Sequence, residues 1–124
     1  MKRYLIAALA AFSLTACSSS PDTIVRDFYI HLADGNQKKA AELISPQSRA
    51  AWGAKIDVFL LASSEKIAKC DGIERLEVVQ TEDRGSIRVF KVTMTLKSKA
   101  PKCGVKNDTV KTFNADGKWH IFLG

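Results

Sequence analysis

Asp71-Gly72-Ile73-Glu74-Arg75-Leu76-Glu77-Val78-Val79-Gln80 is the stretch whose reading decides the fold, because the hydrophobic period changes there from 3.6 to 2. Asp71 and Gly72 end a helical pattern, and Ile73 to Gln80 reads as the first of several strands. Glu82, Asp83, Arg84 and Gly85 then supply a turn rich in residues that tolerate positive φ. In the next segment Ile87 and Val89 alternate on odd numbers, whereas Phe90, Val92, Met94 and Leu96 alternate on even ones. A one-residue bulge near Val89 and Phe90 reconciles the two phases and would bend the sheet. A third strand is expected from about Val105 to Phe113, and Asn114-Ala115-Asp116-Gly117 forms a hairpin turn. Lys118 to Leu123 closes the chain, with Trp119, Ile121 and Leu123 on one face and His120 and Phe122 on the other.

Upstream of Asp71 the pattern is helical. Ser20-Pro21-Asp22 combines a hydroxyl cap, a proline at a position needing no donor and an acid near the positive helix end. Ile24, Val25, Phe28 and Leu32 recur at helical spacing up to the stop at Gly35. Asn36 caps a short second helix through Ile44, with Ala40, Leu43 and Ile44 on its apolar side. Ser45-Pro46 opens a third, longer stretch that Gly53 bends or breaks. Trp52, Ile56, Phe59, Leu60 and Ile67 share one face of it, while Val58 and Leu61 fall off that stripe, so either they contact another element or the helix is covered on two sides. The expected architecture is therefore α+β, with three N-terminal helices packed on a curved four-stranded antiparallel meander within a single domain, 21–124.

The N-terminal segment speaks to address. Lys2 and Arg3 precede a mostly apolar run of 11 residues from Tyr4 to Leu14, the layout of a secretory signal peptide over 1–16. A spanning helix needs roughly 20 apolar residues, so this run is a poor permanent anchor. Leu14-Thr15-Ala16-Cys17 resembles the lipobox of bacterial lipoproteins, in which small residues admit the processing protease and the cysteine becomes the lipidated N-terminus. The resemblance implies a thioether-linked lipid and a palmitate-type acyl chain at Cys17, followed by a Ser18-Ser19-Ser20 tether completing 17–20. Fully extended, three residues reach only roughly 10 Å, which keeps the domain beside the membrane. In proteobacterial lipoproteins an Asp directly after the lipidated Cys favours inner-membrane retention, and here that residue is Ser18. The expectation is the periplasmic leaflet of the outer membrane.

Removal of 1–16 leaves 108 residues, the size of one domain with one core. From Cys17 to Gln80 there are 8 basic and 9 acidic residues, and from Thr81 to Gly124 there are 9 basic and 4 acidic. The positive field thus belongs to the C-terminal half and steers it toward acidic partners. An exported lipoprotein meets anionic lipid and cell-wall polymer rather than nucleic acid, so nucleic acid is set aside.

The helix start at Pro21, the Ser45-Pro46 start, the Asp71-Gly72-Ile73 entry and the terminal Asp116-Gly117-Lys118-Trp119 with Ile121 resemble a family of small bacterial lipoproteins of unassigned function. That resemblance implies the cone-shaped nuclear transport factor 2-like fold with its cystatin-like sheet. It transfers no catalytic residues, and the cysteine pair departs from the usual pattern.

With Cys17 lipidated, Cys70 and Cys103 remain in an oxidising compartment, where a disulfide is the expected fate. A redox or metal-binding role for the pair lacks a neighbouring Cys or His at ligand spacing. Asp27 and His31, four residues apart on the first helix, offer an acid–imidazole pair for proton abstraction if they face a cavity. His120 reads as an outward strand residue. No Ser or Cys nucleophile motif, phosphate loop, cofactor motif or metal cluster stands out. Lys91, Lys97 and Lys99, with Lys102 and Lys106 in the next hairpin, are expected to form one positive binding patch, against the plain alternative of a solvated edge. Apolar residues on the outer sheet face, Phe122 and with it Val110, make a homodimer a further possibility to test. Two function classes follow: a non-enzymatic binding or envelope-maintenance module for an acidic or amphipathic partner, and a small isomerase or hydrolase using Asp27 and His31.

Overall fold

The computed structural model describes residues 19–123; Cys17 and the signal segment lie outside them. Four helices precede four strands: α1 Pro21–Ala33, α2 Gln37–Glu42, α3 Pro46–Trp52, α4 Lys55–Lys69, β1 Ile73–Asp83, β2 Ile87–Leu96, β3 Val105–Ala115 and β4 Lys118–Phe122. The strands form one antiparallel sheet in the order β1-β2-β3-β4. The expected third helix is two. Gly53 takes φ 57°, ends α3 and redirects the chain before it re-enters the helix at Lys55. Asp71 and Gly72, at φ 66° and 96°, stop α4 and turn into β1, where the period change placed the boundary.

Capping differs in one place from the expectation. Asn36 and Ser45 accept from the amides of Lys39 and Ser48, as helix caps do. The Ser20 hydroxyl does not cap α1 and instead meets that of Thr23 at 2.9 Å. Proline at N1 leaves one donor fewer to satisfy there.

The bulge sits where the phase change required it but on the other strand. β2 runs in unbroken register with β3 from Ile87↔Phe113 to Thr95↔Val105. The slip falls between Gln80↔Phe90 and Glu82↔Val89, so Thr81 of β1 is the extra residue. Its hydroxyl donates to the Val89 carbonyl. Alternation then puts Phe90, Val92 and Leu96 on the concave side against the helices, with Leu32, Ile44, Leu60 and Ile121, all nearly inaccessible to water. Val110 pairs with Phe90, so it belongs to this inner face and not to the outer one.

Two fasteners close the layers. Ser45 N–H donates to the Ile121 carbonyl and Ile121 N–H to that of Leu43, which lays 43–45 along the outer edge of β4. The buried Ser48 hydroxyl donates to the Leu123 carbonyl and accepts from the Leu123 amide and the Ser45 hydroxyl. An edge that would otherwise present open backbone groups is thereby paired. At the other end Cys70 and Cys103 form a disulfide from the end of α4 to the β2–β3 turn. The core, the disulfide and the four-stranded sheet lie within 19–123, so that segment carries a core of its own.

Candidate functional site

A curved sheet over a helical layer leaves an unfilled mouth where the two diverge. Here it is a groove of about 560 Å³ between α1, α4 and the inner face of β2 and β3. Its walls are Phe28 and Leu32 of α1, Phe59 and Ile67 of α4, Val92, Met94 and Leu96 of β2, and Val110 of β3. Trp52 closes one side, tilted against Phe59 with ring centroids 6.1 Å apart. Volume and apolar lining are those of a small-molecule site.

Polar groups gather at the rim. Lys66 of α4 and Lys106 of β3 line it with the single carboxylate of Asp108, while Lys111 borders it from the outward register position next to Val110. The Lys106 ammonium donates to the Lys102 carbonyl at 2.9 Å, which tethers it over the β2–β3 turn. Tyr29 donates its phenol to Asp108 Oδ2 at 2.9 Å, and Asp108 Oδ1 accepts from the Thr109 amide. Burial and then the Asp108 charge push the Tyr29 pKa well above the ordinary phenol range, so the phenol stays protonated and a donor. Both Asp108 oxygens accept a hydrogen bond while the carboxylate keeps its charge, and the lysines that line the groove outnumber it.

The residues singled out from sequence are dispersed. Asp27 and His31 are half-buried on α1, line no described pocket, and no hydrogen bond or ion pair joins them among the described residues. The groove takes the neighbouring helix positions 28, 29 and 32 instead. The five lysines do not form one patch. Lys91 pairs with Thr109 and Lys106 with Met94, three residues away along β2, so strand alternation puts them on opposite faces. Lys97 lies by Gly72 in a shallow recess with Arg26 and Asp34, Lys99 is 3.5 Å from Glu74, and Lys102 is exposed in the turn. Of the five, only Lys106 reaches the groove.

Lys66 and Lys111 carry no sequence signal, nor do Tyr29 and Asp108, which lie 79 residues apart in the chain. Ser63 and Lys66 stand one helical turn apart, the S-x-x-K spacing, and both line the groove, a signal that sequence reasoning missed. No hydrogen bond joins them among the described residues, and Lys66 is exposed to water, whereas a lysine base for acyl transfer is desolvated. Elsewhere, His120 lines a recess of about 140 Å³ with Trp119 and Ile24; burial, then Lys118 and Arg49, lower its pKa below 6.5. Arg88 stacks 5.0 Å over Trp119, with its Nε 3.4 Å from Asp83 in an ion pair too poorly aligned to be a hydrogen bond. Among the described residues no group of three or more His, Cys, Asp or Glu is placed to hold a metal, and no helix is long and apolar enough to cross a membrane.

No protein-family model and no curated protein matches this chain. Solved structures do, in 23 chains. One is the crystal structure of a protein named "NTF2-like transpeptidase" from Campylobacter jejuni, 17% identical, covering 86% of this chain and all of that one, with a TM-score of 0.69. Four helices followed by a four-stranded antiparallel open sheet, superposed over that span, make this a nuclear transport factor 2-like fold.

Proposed function

We propose that the chain is a lipid-anchored protein of the bacterial envelope that binds, without transforming, an amphipathic anionic ligand in the groove. The observation that carries this reading is the groove's composition: apolar walls ending at a rim where Lys66 and Lys106, with Lys111 bordering from the outer face, outnumber the one carboxylate, Asp108, which accepts from Tyr29 and the Thr109 amide. Such a site rewards an apolar chain at roughly 0.8 kcal/mol per buried methylene and selects the sign of the head group. The lipobox at Leu14–Cys17 supplies the address, a thioether-anchored lipid at Cys17 and, from Ser18, the periplasmic leaflet of the outer membrane. A homodimer through the sheet belongs to the same proposal and is read by light scattering.

Catalysis has less support. Acyl transfer of the kind the Campylobacter protein's name records needs an activated nucleophile. Cys70 and Cys103 are consumed in a disulfide, and Ser63 lacks a hydrogen-bonded base among the described residues. The Asp27 and His31 pair lies outside the groove lining.

The test compares two ligands of equal chain length and opposite charge, dodecanoate and dodecyltrimethylammonium, both below their micellar concentrations, by titration calorimetry on the segment 19–124. Saturable binding of dodecanoate alone, weakened in Lys106→Gln/Lys111→Gln, is expected. Equal binding of both, or of neither, would sink the reading. Palmitate labelling of the wild type but not of Cys17→Ser, followed by membrane fractionation, tests the address.

A further inference from the structure

α4 has a second hydrophobic face that the fold leaves uncovered. Ile56, Leu60, Ser64 and Ile67 turn inward, and the Ser64 hydroxyl donates to the Leu32 carbonyl. Val58 is 70% exposed and Phe59 38%, although they sit in the middle of a packed helix, and Leu61, 50% exposed, lies farther round the helix beyond Val58. At 100° per residue, Lys55, Val58, Phe59, Ala62, Lys66 and Lys69 fall on one stripe, spaced 3, 1, 3, 4 and 3 residues apart. The stripe runs directly into the groove, because Phe59 and Lys66 belong to both. Asp57 lies on the far side of the helix, and Glu65 lies between Val58 and Leu61 at the stripe's border away from the mouth. Trp52 and Phe59, half in and half out of the protein, stand where the stripe meets the groove. Apolar side chains interleaved with lysines, beside amphipathic aromatics, are the features of a helix that lies on a membrane surface.

We infer that this face of α4 docks on an anionic lipid bilayer and so presents the groove mouth to the membrane. Charge complementarity selects the occupant. Lys55, Lys66 and Lys69 on the stripe, with Lys106 across the mouth, form a positive surface around an apolar strip. A protein partner of mixed charge would leave those lysines unmatched, whereas the head groups of an anionic leaflet meet all of them. The inference goes beyond the proposed ligand reading, since docking requires only the outer stripe, but the two combine into a path: an anionic lipid's chain passes from the bilayer along Val58 and Phe59 into the groove.

The experiment is co-sedimentation of the unlipidated segment 19–124 with vesicles of phosphatidylcholine alone and of equal parts phosphatidylcholine and phosphatidylglycerol. Each lysine near an anionic surface adds about fivefold in affinity, so Lys55→Gln/Lys69→Gln, which alters no groove residue, loses roughly thirtyfold on the mixed vesicles. The charge-matched control Lys38→Gln/Lys39→Gln on α2, off the stripe, loses less than about fivefold by the same measure. Val58→Glu lowers affinity while circular dichroism stays unchanged. Wild-type binding that does not distinguish the two vesicles, or equal losses in the α4 and α2 pairs, overturns the inference. Dodecanoate titration separates the two readings: Lys55→Gln/Lys69→Gln keeps wild-type dodecanoate affinity if docking and ligand binding are distinct. A protein that binds mixed vesicles through Lys55 and Lys69 but takes no dodecanoate refutes the groove reading and leaves docking standing.

Discussion

Removing the disulfide is the perturbation whose size follows most directly from the fold. Cys70 and Cys103 are 33 residues apart and both are buried. In the chain-entropy treatment a loop of that length restricts the unfolded chain by about 12.5 cal/mol/K, or about 3.7 kcal/mol at 25 °C. The 105 described residues unfold with an entropy of about 0.22 kcal/mol/K, so Cys70→Ala/Cys103→Ala lowers the melting temperature by about 17 °C. The native turn survives the substitution, because the Lys97 amide still donates to the Gly72 carbonyl and that of Ser98 to the Cys70 carbonyl. The loss therefore resides mainly in the unfolded chain, and its second signature is a steeper urea dependence, since an uncrosslinked chain exposes more surface. Thermal and urea unfolding of the double variant, and of the wild type with and without reductant, measure both. A shift under about 5 °C with unchanged urea slope would refute the reasoning and mean that the β2–β3 segment stays near α4 in the unfolded chain.

Three further outcomes follow from named contacts. Ser48→Ala strips partners from the Leu123 amide and the Ser45 hydroxyl in a buried setting, so it costs about 2 to 3 kcal/mol by urea unfolding; an effect below about 1 kcal/mol would mean that β4 is not held this way. Tyr29→Phe releases Asp108 at the rim, costs about 1 kcal/mol of stability and weakens dodecanoate binding, because a freed carboxylate competes for Lys106; unchanged affinity would show that Asp108 does not face the ligand. His120 carries a folded pKa below its unfolded value of 6.5, so the unfolded state takes up the proton first as acid is added. Its share of stability is complete above that value and is lost as pH falls through it, and His120→Asn flattens the stability profile between about pH 7 and pH 5; an unaltered profile would remove His120 as the cause.

What the sequence disclosed and what it withheld divide along the range of the interactions. The turn into β1 was legible because Asp71 and Gly72 carry their own backbone preference and the period changes beside them. The break at Gly53 was legible only as an alternative, since a glycine inside a helical pattern can be either bent or left-handed until the next turn is packed. The slip near Val89 and Phe90 was visible in β2, yet the extra residue, Thr81, lies on β1, where no alternation records it. A cavity was expected from the fold resemblance, but the residues that line the groove were not legible. Its rim joins Lys66 to Lys106 and Lys111 through tertiary packing, and Tyr29 meets Asp108 across 79 residues. Lys91, Lys97 and Lys99 looked like one patch because alternation was carried along the whole segment, but β2 ends at Leu96, and Lys106 falls on the face opposite Lys91. Val58 and Leu61, which fit no inward stripe, called by their spacing for contact with another element or cover on a second side, yet both are exposed in the fold.

Groove binding is tested most directly by amide chemical-shift mapping of the isotope-labelled segment 19–124 titrated with dodecanoate below its micellar concentration. Saturable shifts confined to the groove, at Leu32, Ile67, Val92 and Val110 with Lys66, Lys106 and Lys111 at the rim, are the expected result. Shifts that do not saturate, or that centre on the His120 recess while the groove residues stay unmoved, would contradict it.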